Sequence, residues 1–335
     1  MTIQGLSGLI PLSAYQFFVR RNVIGLFYHL VSEHAIAHTA HLYSYRPTHL
    51  FEQDLLTLKN SFHVISYDDL INCYSSRKKL PPKSVILSFD DGFAECFSVV
   101  RPLLLKHNLP CTFFLATDFI DNRAMYYRNK VSLCISRIYE LPQSETKQEF
   151  TKLNHAFKIN IVSTAAFIQW IKSITDEQDI SNVCNILGIN IEQYLETNSP
   201  YLTSQQIRTM VTEGFTFGAH SRRHHKLNQL EEVDVVDEIV GSCQVIYDKI
   251  GQEPVPFSFP NSAAGIDRHL LSTIIQKHPR VGLLFDTKGL YKDMQFIINR
   301  IWVESPQLNP GGILPLMQII QRAYHKYMLE RIKWE

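Results

Sequence analysis

The chain has 335 residues, 45% of them hydrophobic and 19% charged, with a formal net charge of +1. Together with a mean hydropathy of −0.09, this is the composition of a folded globular protein, which excludes disordered, collagen-like and coiled-coil chains. Near neutrality excludes a basic nucleic-acid binder, and no uncharged apolar run approaches the roughly 20 residues of a membrane-spanning helix.

The opening stretch MTIQGLSGLIPLSAYQFF is apolar but has no basic leader, so a cytoplasmic address is expected rather than secretion. Leu6–Phe18 would permit docking on a membrane surface. Val23–Val31 reads as a buried strand, and His49–Asn60 as a helix with Leu50, Phe51, Leu55 and Leu58 at helical spacing. A short strand at Phe62–Ser66 and a helix at Tyr67–Tyr74 follow. Next, Val85–Phe89 runs as a buried strand straight into Asp90-Asp91-Gly92, with a helix predicted over Phe93–His107 and another strand over Cys111–Ala116. This is a βαβ unit, which favours a parallel sheet with its working loops at the carboxyl ends of the strands.

Residues 122–200 show helical periodicity with few strand signals and read as a helical insertion. The alternation then resumes with a helix at Thr203–Glu213, a strand at Phe215–Ala219, a helix at Glu231–Ile250 and a strand at Val255–Phe259. A helix at Arg268–Lys277, strands at Val281–Phe285 and Phe296–Val303, and a terminal helix over 313–332 complete an α/β pattern. One domain over 1–335 accounts for all of it. The six cysteines are scattered without a Cys-x-x-Cys pair and read as reduced core thiols.

Asp90-Asp91 puts two carboxylates at a strand end, where they either hold a cation or cap the next helix. His220 and His224 are four residues apart at the end of a second apolar strand. On a helical turn they would share a face and hold one metal ion with Asp91. Two imidazoles and one carboxylate leave coordination positions open, as in a catalytic site, and a zinc ion there would activate water for amide or ester hydrolysis. The carboxylate left unligated is then free to take the proton of that water.

Ser88-Phe89-Asp90-Asp91-Gly92, His220-Ser221-Arg222-Arg223-His224 and Phe257-Ser258-Phe259-Pro260, in that order, resemble the motifs of the polysaccharide deacetylase family (the NodB-homology domain of carbohydrate esterase family four). Phe27-Tyr28-His29-Leu30-Val31 is similar to the Tyr-His-x-Val strand that opens one branch of it. The resemblance implies a distorted (β/α)7 barrel with a divalent metal, zinc by expectation, at its mouth. It implies Asp90 as general base and Asp91, His220 and His224 as metal ligands. It further implies a groove wall at Pro260 with an oxyanion donor at the Asn261 N–H. Arg300, in Asn299-Arg300-Ile301, matches a recurring Arg-Ile of the family and is expected either to pair with Asp90 and keep it ionised or to form a structural salt bridge.

Two departures stand out. Asn261-Ser262 follows the proline where the family carries Tyr or Gly, and no Leu-x-His occurs near the C-terminus; the resemblance to the Tyr-His branch implies His29 as the general acid, the alternative being a buried strand-end histidine satisfied by one hydrogen bond. The reading is hydrolysis of an N-acetyl group on a hexosamine of a glycan or glycolipid precursor. O-acetyl or small-amide hydrolysis, and carbohydrate binding without catalysis, are the alternatives. Neither a nucleic-acid nor a protein partner is indicated. The helix ending Arg331-Ile332-Lys333-Trp334 permits membrane-surface docking, and Arg222-Arg223 either face an anionic substrate group or form a solvated loop.

Overall fold

The computed structural model describes residues 11–19, 21–76, 79–309 and 311–332. Helix α1 (Leu12–Phe18) precedes β1 (Val23–Tyr28), α2 (Thr48–Ser61), β2 (His63–Val64), α3 (Tyr67–Ser76), β3 (Ser84–Phe89), α4 (Arg101–His107) and β4 (Thr112–Leu115). Five helices form the insertion: α5 (Tyr127–Glu140), α6 (Gln143–Phe157), α7 (Thr164–Ser173), α8 (Glu177–Ile186) and α9 (Ile191–Asn198). The order continues α10 (Ser204–Thr212), β5 (Thr216–Ala219), α11 (Glu232–Ile250), β6 (Val255–Ser258), α12 (Arg268–Lys277), β7 (Val281–Asp286), β8 (Ile297–Trp302) and α13 (Leu316–Ile332).

All strand pairs are parallel, and β1-β8-β7-β6-β5-β4-β3 close on themselves because β3 also pairs with β1, Val23 opposite Ser84 through Tyr28 opposite Phe89. The result is a closed seven-stranded α/β barrel. The two-residue β2 fills the gap beside the first residues of β3, whose last residues pair with β4 instead.

Closure buries both faces of the seven barrel strands, and most of the residues on them are apolar. Leu26, Leu87, Phe113 and Phe257 pack outward with the surrounding helices, and Ile86, Phe114, Phe285 and Ile298 fill the interior together with Tyr67 and Leu70 of α3. Tyr67 also accepts the Leu283 N–H through its hydroxyl at 3.1 Å, so α3 stoppers the barrel at the end away from the strand termini. The insertion has a core of its own, built from Val131, Ile135, Leu153, Phe167, Ile180 and Val183.

The helix predicted over Phe93–His107 forms differently: a π-helical turn at Cys96–Val100 leads into α4. Pro102 has no N–H to donate to the carbonyl of Ser98, and its ring crowds that carbonyl, so the ladder widens one turn earlier. All six cysteines are free, and only Cys73 is not buried. No described helix is long and apolar enough to cross a membrane. Tyr15 of α1 is buried and its hydroxyl bonds His325 Nδ1 of α13 at 3.0 Å, which commits that side of α1 to the protein. Residues 1–10 and 333–335, part of the surface-docking expectation, lie outside the described residues.

Candidate active site

Asp90 and Asp91 leave the carboxyl end of β3 in a tight turn, with φ of 73° at both Asp91 and Gly92. A Cβ at Gly92 would meet Leu115 Cδ2 at 2.7 Å, so this turn needs glycine for space as well as for backbone freedom. Neither aspartate caps a helix, since the next helical turn begins at Cys96. Asp90 is buried, and Arg300 from β8 reaches through the barrel to hold it with Nη1 on Oδ1 at 2.7 Å and Nη2 on Oδ2 at 2.8 Å. Ser88 Oγ and Ser258 Oγ take two further guanidinium hydrogens at 2.9 and 2.6 Å, and the Phe27 ring lies 4.4 Å from the guanidinium carbon. Burial alone would raise the Asp90 pKa, but the charge of Arg300, then that of His220, more than offsets it, and the carboxyl stays below its usual range.

His220 and His224 converge on Asp91, though not on a helix. They stand in a loop after β5 whose Ser221 and His224 both take left-handed backbone angles, and the His224 N–H donates to Ser221 Oγ at 3.0 Å. Asp91 Oδ1 lies 3.6 Å from His220 Nε2 and 3.2 Å from His224 Nε2. His220 Nδ1 donates to the carbonyl of Ser258 at 2.8 Å, which turns the Nε2 lone pair toward Asp91. Burial, partly opposed by Asp90, lowers the His220 pKa to about 4, so the ring is neutral. Asp91 Oδ1 is buried without a hydrogen-bond partner. An orphaned carboxylate oxygen facing two imidazole nitrogens, all three donors within 4.8 Å of one another, fits a divalent cation.

His29, just past β1, comes to the same cavity as Asp90, Asp91, His220, His224 and Asn261, a groove of ≈ 1320 Å³. A residue that the sequence did not single out organises it. Glu304, buried beyond β8, accepts His29 Nδ1 at 2.7 Å, the His29 N–H at 3.0 Å and Trp302 Nε1 at 3.0 Å. Burial would lower the His29 pKa, but the Glu304 charge and hydrogen bond, then Asp91 and Asp90, raise it to about 9. The only signal of Glu304 in the sequence is an acid placed two residues after Trp302 at a strand end. Pro260 is buried behind the groove wall, and Asn261, with φ of 62°, turns the chain into it while its carbonyl accepts Thr287 Oγ1 at 2.7 Å. Arg222 and Arg223 do not face the groove: Arg222 pairs with Asp237 at 3.2 Å and Arg223 with Asp118 at 3.1 Å.

The chain is thus a closed parallel α/β barrel that carries paired carboxylates and imidazoles at the carboxyl ends of its strands, where such barrels place their reactive groups. The chain belongs to the polysaccharide deacetylase family, whose model matches residues 77–158 and 163–277. Solved structures with this fold include a deacetylase, PplD, of Streptococcus pyogenes in complex with acetate (16% identity, 88% of this chain and 97% of that one, TM-score 0.54). IcaB from Ammonifex degensii (15%, 90% and 97%, TM-score 0.56) and a de-N-acetylase from Aggregatibacter actinomycetemcomitans (17%, 84% and 95%, TM-score 0.51) share it as well. No curated protein sequence matches the chain. The membership supports carbohydrate deacetylation by hydrolysis.

Proposed function

We propose that the chain is a metal-dependent hydrolase that removes an N-acetyl group from a hexosamine of a glycan or glycolipid precursor. The observation that carries this is the buried, unpartnered Asp91 Oδ1 facing Nε2 of His220 and His224. Asp91, His220 and His224 would hold the ion, zinc by its preference for imidazole and carboxylate, which when bound polarises the acetyl carbonyl and acidifies water.

Asp90 then takes the proton of the attacking water. Arg300 fixes both of its oxygens and keeps it ionised, and Ser258 Oγ donates to Asp90 Oδ2 at 3.3 Å. The Asn261 N–H, at the groove wall, donates to the oxyanion of the tetrahedral intermediate. His29, held as an imidazolium by Glu304, gives its proton to the departing amine. Trp302 lines the groove beside His29 with ring centroids 5.5 Å apart and offers an apolar face to a sugar ring. The likeness to a de-N-acetylase supports an N-acetyl substrate, and six free thiols fit a cytoplasmic address.

The test is acetate release from N-acetylated and O-acetylated oligosaccharides, sugar nucleotides and lipid-linked glycans, with and without a chelator. Release from the N-acetylated set, lost with chelator and restored by zinc, is expected. Release from O-acetyl substrates alone selects the esterase alternative, and no release with no bound metal leaves only carbohydrate binding.

A further inference from the structure

The groove carries charges that deacetylation alone does not call for. Away from the aspartates and histidines, five cationic side chains, Arg128, Lys172, Lys226, Lys288 and Lys326, line it against one carboxylate, Glu330, in a chain of net charge +1. Among the described residues none of the five is in a salt bridge. Outside the groove, Arg46, Arg101, Arg222, Arg223, Arg268 and Arg280 are each paired with Asp or Glu. Other cations outside the groove, Arg123 and Arg322 among them, bond backbone carbonyls rather than acids, so what sets the groove apart is that five cations gather along it.

Three of the cations stand on the side of the reaction centre built by the loops after β4 and β5. Lys226 is two residues past His224. Tyr126 packs its ring 4.4 Å from the His224 ring, and Arg128 follows on the first turn of α5. The Arg128 guanidinium is pre-set, with Nη1 on the Lys172 carbonyl at 2.7 Å, Nε on the Tyr127 hydroxyl at 2.9 Å and its plane over the Tyr127 ring at 4.8 Å. Helix stability does not account for its place, because a cation is disfavoured at the positive end of a helix. Lys288 and Lys326 extend the positive field past the loops after β7 and β8, where Lys326 Nζ reaches Gln307 Oε1 at 3.0 Å.

This field discriminates among substrates. A polymer already partly deacetylated bears ammonium groups, which these cations repel. A sugar with anionic oxygens near its N-acetyl group gains instead. Resting on the N-deacetylase reading, we propose that the enzyme selects N-acetylated sugars bearing a phosphate ester or diester, with Arg128, Lys172 and Lys226 forming the phosphate subsite. An arginine fork and two ammonium groups match the several oxygens of a phosphate.

Acetate release tests this on four N-acetylhexosamine substrates: a neutral oligomer, the 1-phosphate, a nucleotide-diphosphate sugar and a lipid-diphosphate sugar. A kcat/KM at least about tenfold higher for the phosphate-bearing substrates is expected, with a preference that weakens as ionic strength rises and collapses in the Arg128→Gln, Lys172→Gln double variant. The leading phosphate-bearing substrate identifies the source of the group. A neutral oligomer processed as well as the others, or a double variant that keeps the preference, overturns the subsite and leaves the deacetylase reading standing. If no substrate yields acetate, the deacetylase reading fails, and calorimetry of the 1-phosphate with metal-free protein decides the subsite alone. Binding lost in the double variant upholds it; equal binding by both proteins, or by neither, overturns it.

Discussion

Glu304→Gln isolates what the buried carboxylate does for His29, because glutamine keeps the size and one acceptor oxygen but removes the charge. A His29 pKa raised from 6.5 to about 9 corresponds to about 3 kcal/mol of preferential interaction with the imidazolium. The His29 side chain is only 16% exposed, so solvent screens little of this. Because the folded pKa lies above the unfolded one, the stabilisation is fully present below pH 6.5 and is lost as pH rises through about 9. Denaturant unfolding of metal-free wild type and variant should therefore differ most near pH 6, and the part of the difference due to the His29 charge should shrink as pH rises through about 9. Activity follows the same group. A general acid must be protonated, so the alkaline limb of kcat/KM should move to lower pH in the variant when both proteins are loaded with metal alike. An unmoved alkaline limb together with a stability difference that does not change with pH would refute the pairing as the source of acidity.

Three further outcomes follow from the same geometry. Asp90→Asn should lower kcat by about 10²–10⁴-fold while metal content, measured by atomic emission, stays at the wild-type level. Asp91→Asn or His220→Gln should weaken zinc binding by at least about 100-fold in a competition titration, and acetate release should fall with it. Gly25→Ala would place a Cβ 2.4 Å from Arg300 Cγ and 3.0 Å from the Asn299 carbonyl. It should cost about 1–3 kcal/mol in denaturant unfolding and depress acetate release, because the side chain pushed aside is the one that orients Asp90.

Strand and helix order was readable because local periodicity encodes it: an apolar run such as Val85–Phe89 can serve only a strand covered on both faces. The family motifs also named Asp90, Asp91, His220, His224 and Arg300, all of which meet at the barrel mouth in the structure. Local patterns went astray where a backbone angle or a missing donor decided the shape. Four-residue spacing suggested a helical turn for His220 and His224, yet Ser221 and His224 adopt left-handed angles that no spacing reveals. Pro102 converted part of a predicted helix into a π-turn through a hydrogen bond that it cannot make.

Sequence alone settled the fold class, the order of the elements and the residue types of a reaction centre, since each depends on neighbours along the chain. Only the tertiary structure brought Glu304 to His29 across 275 positions, turned Arg222 and Arg223 toward acids, and lined one groove with cations from α5, α7, α13 and the loops after β5 and β7. Those meetings depend on barrel closure and on how the insertion packs. Charge–charge energies are set by distance through space and by burial, and neither quantity is written in the order of residues.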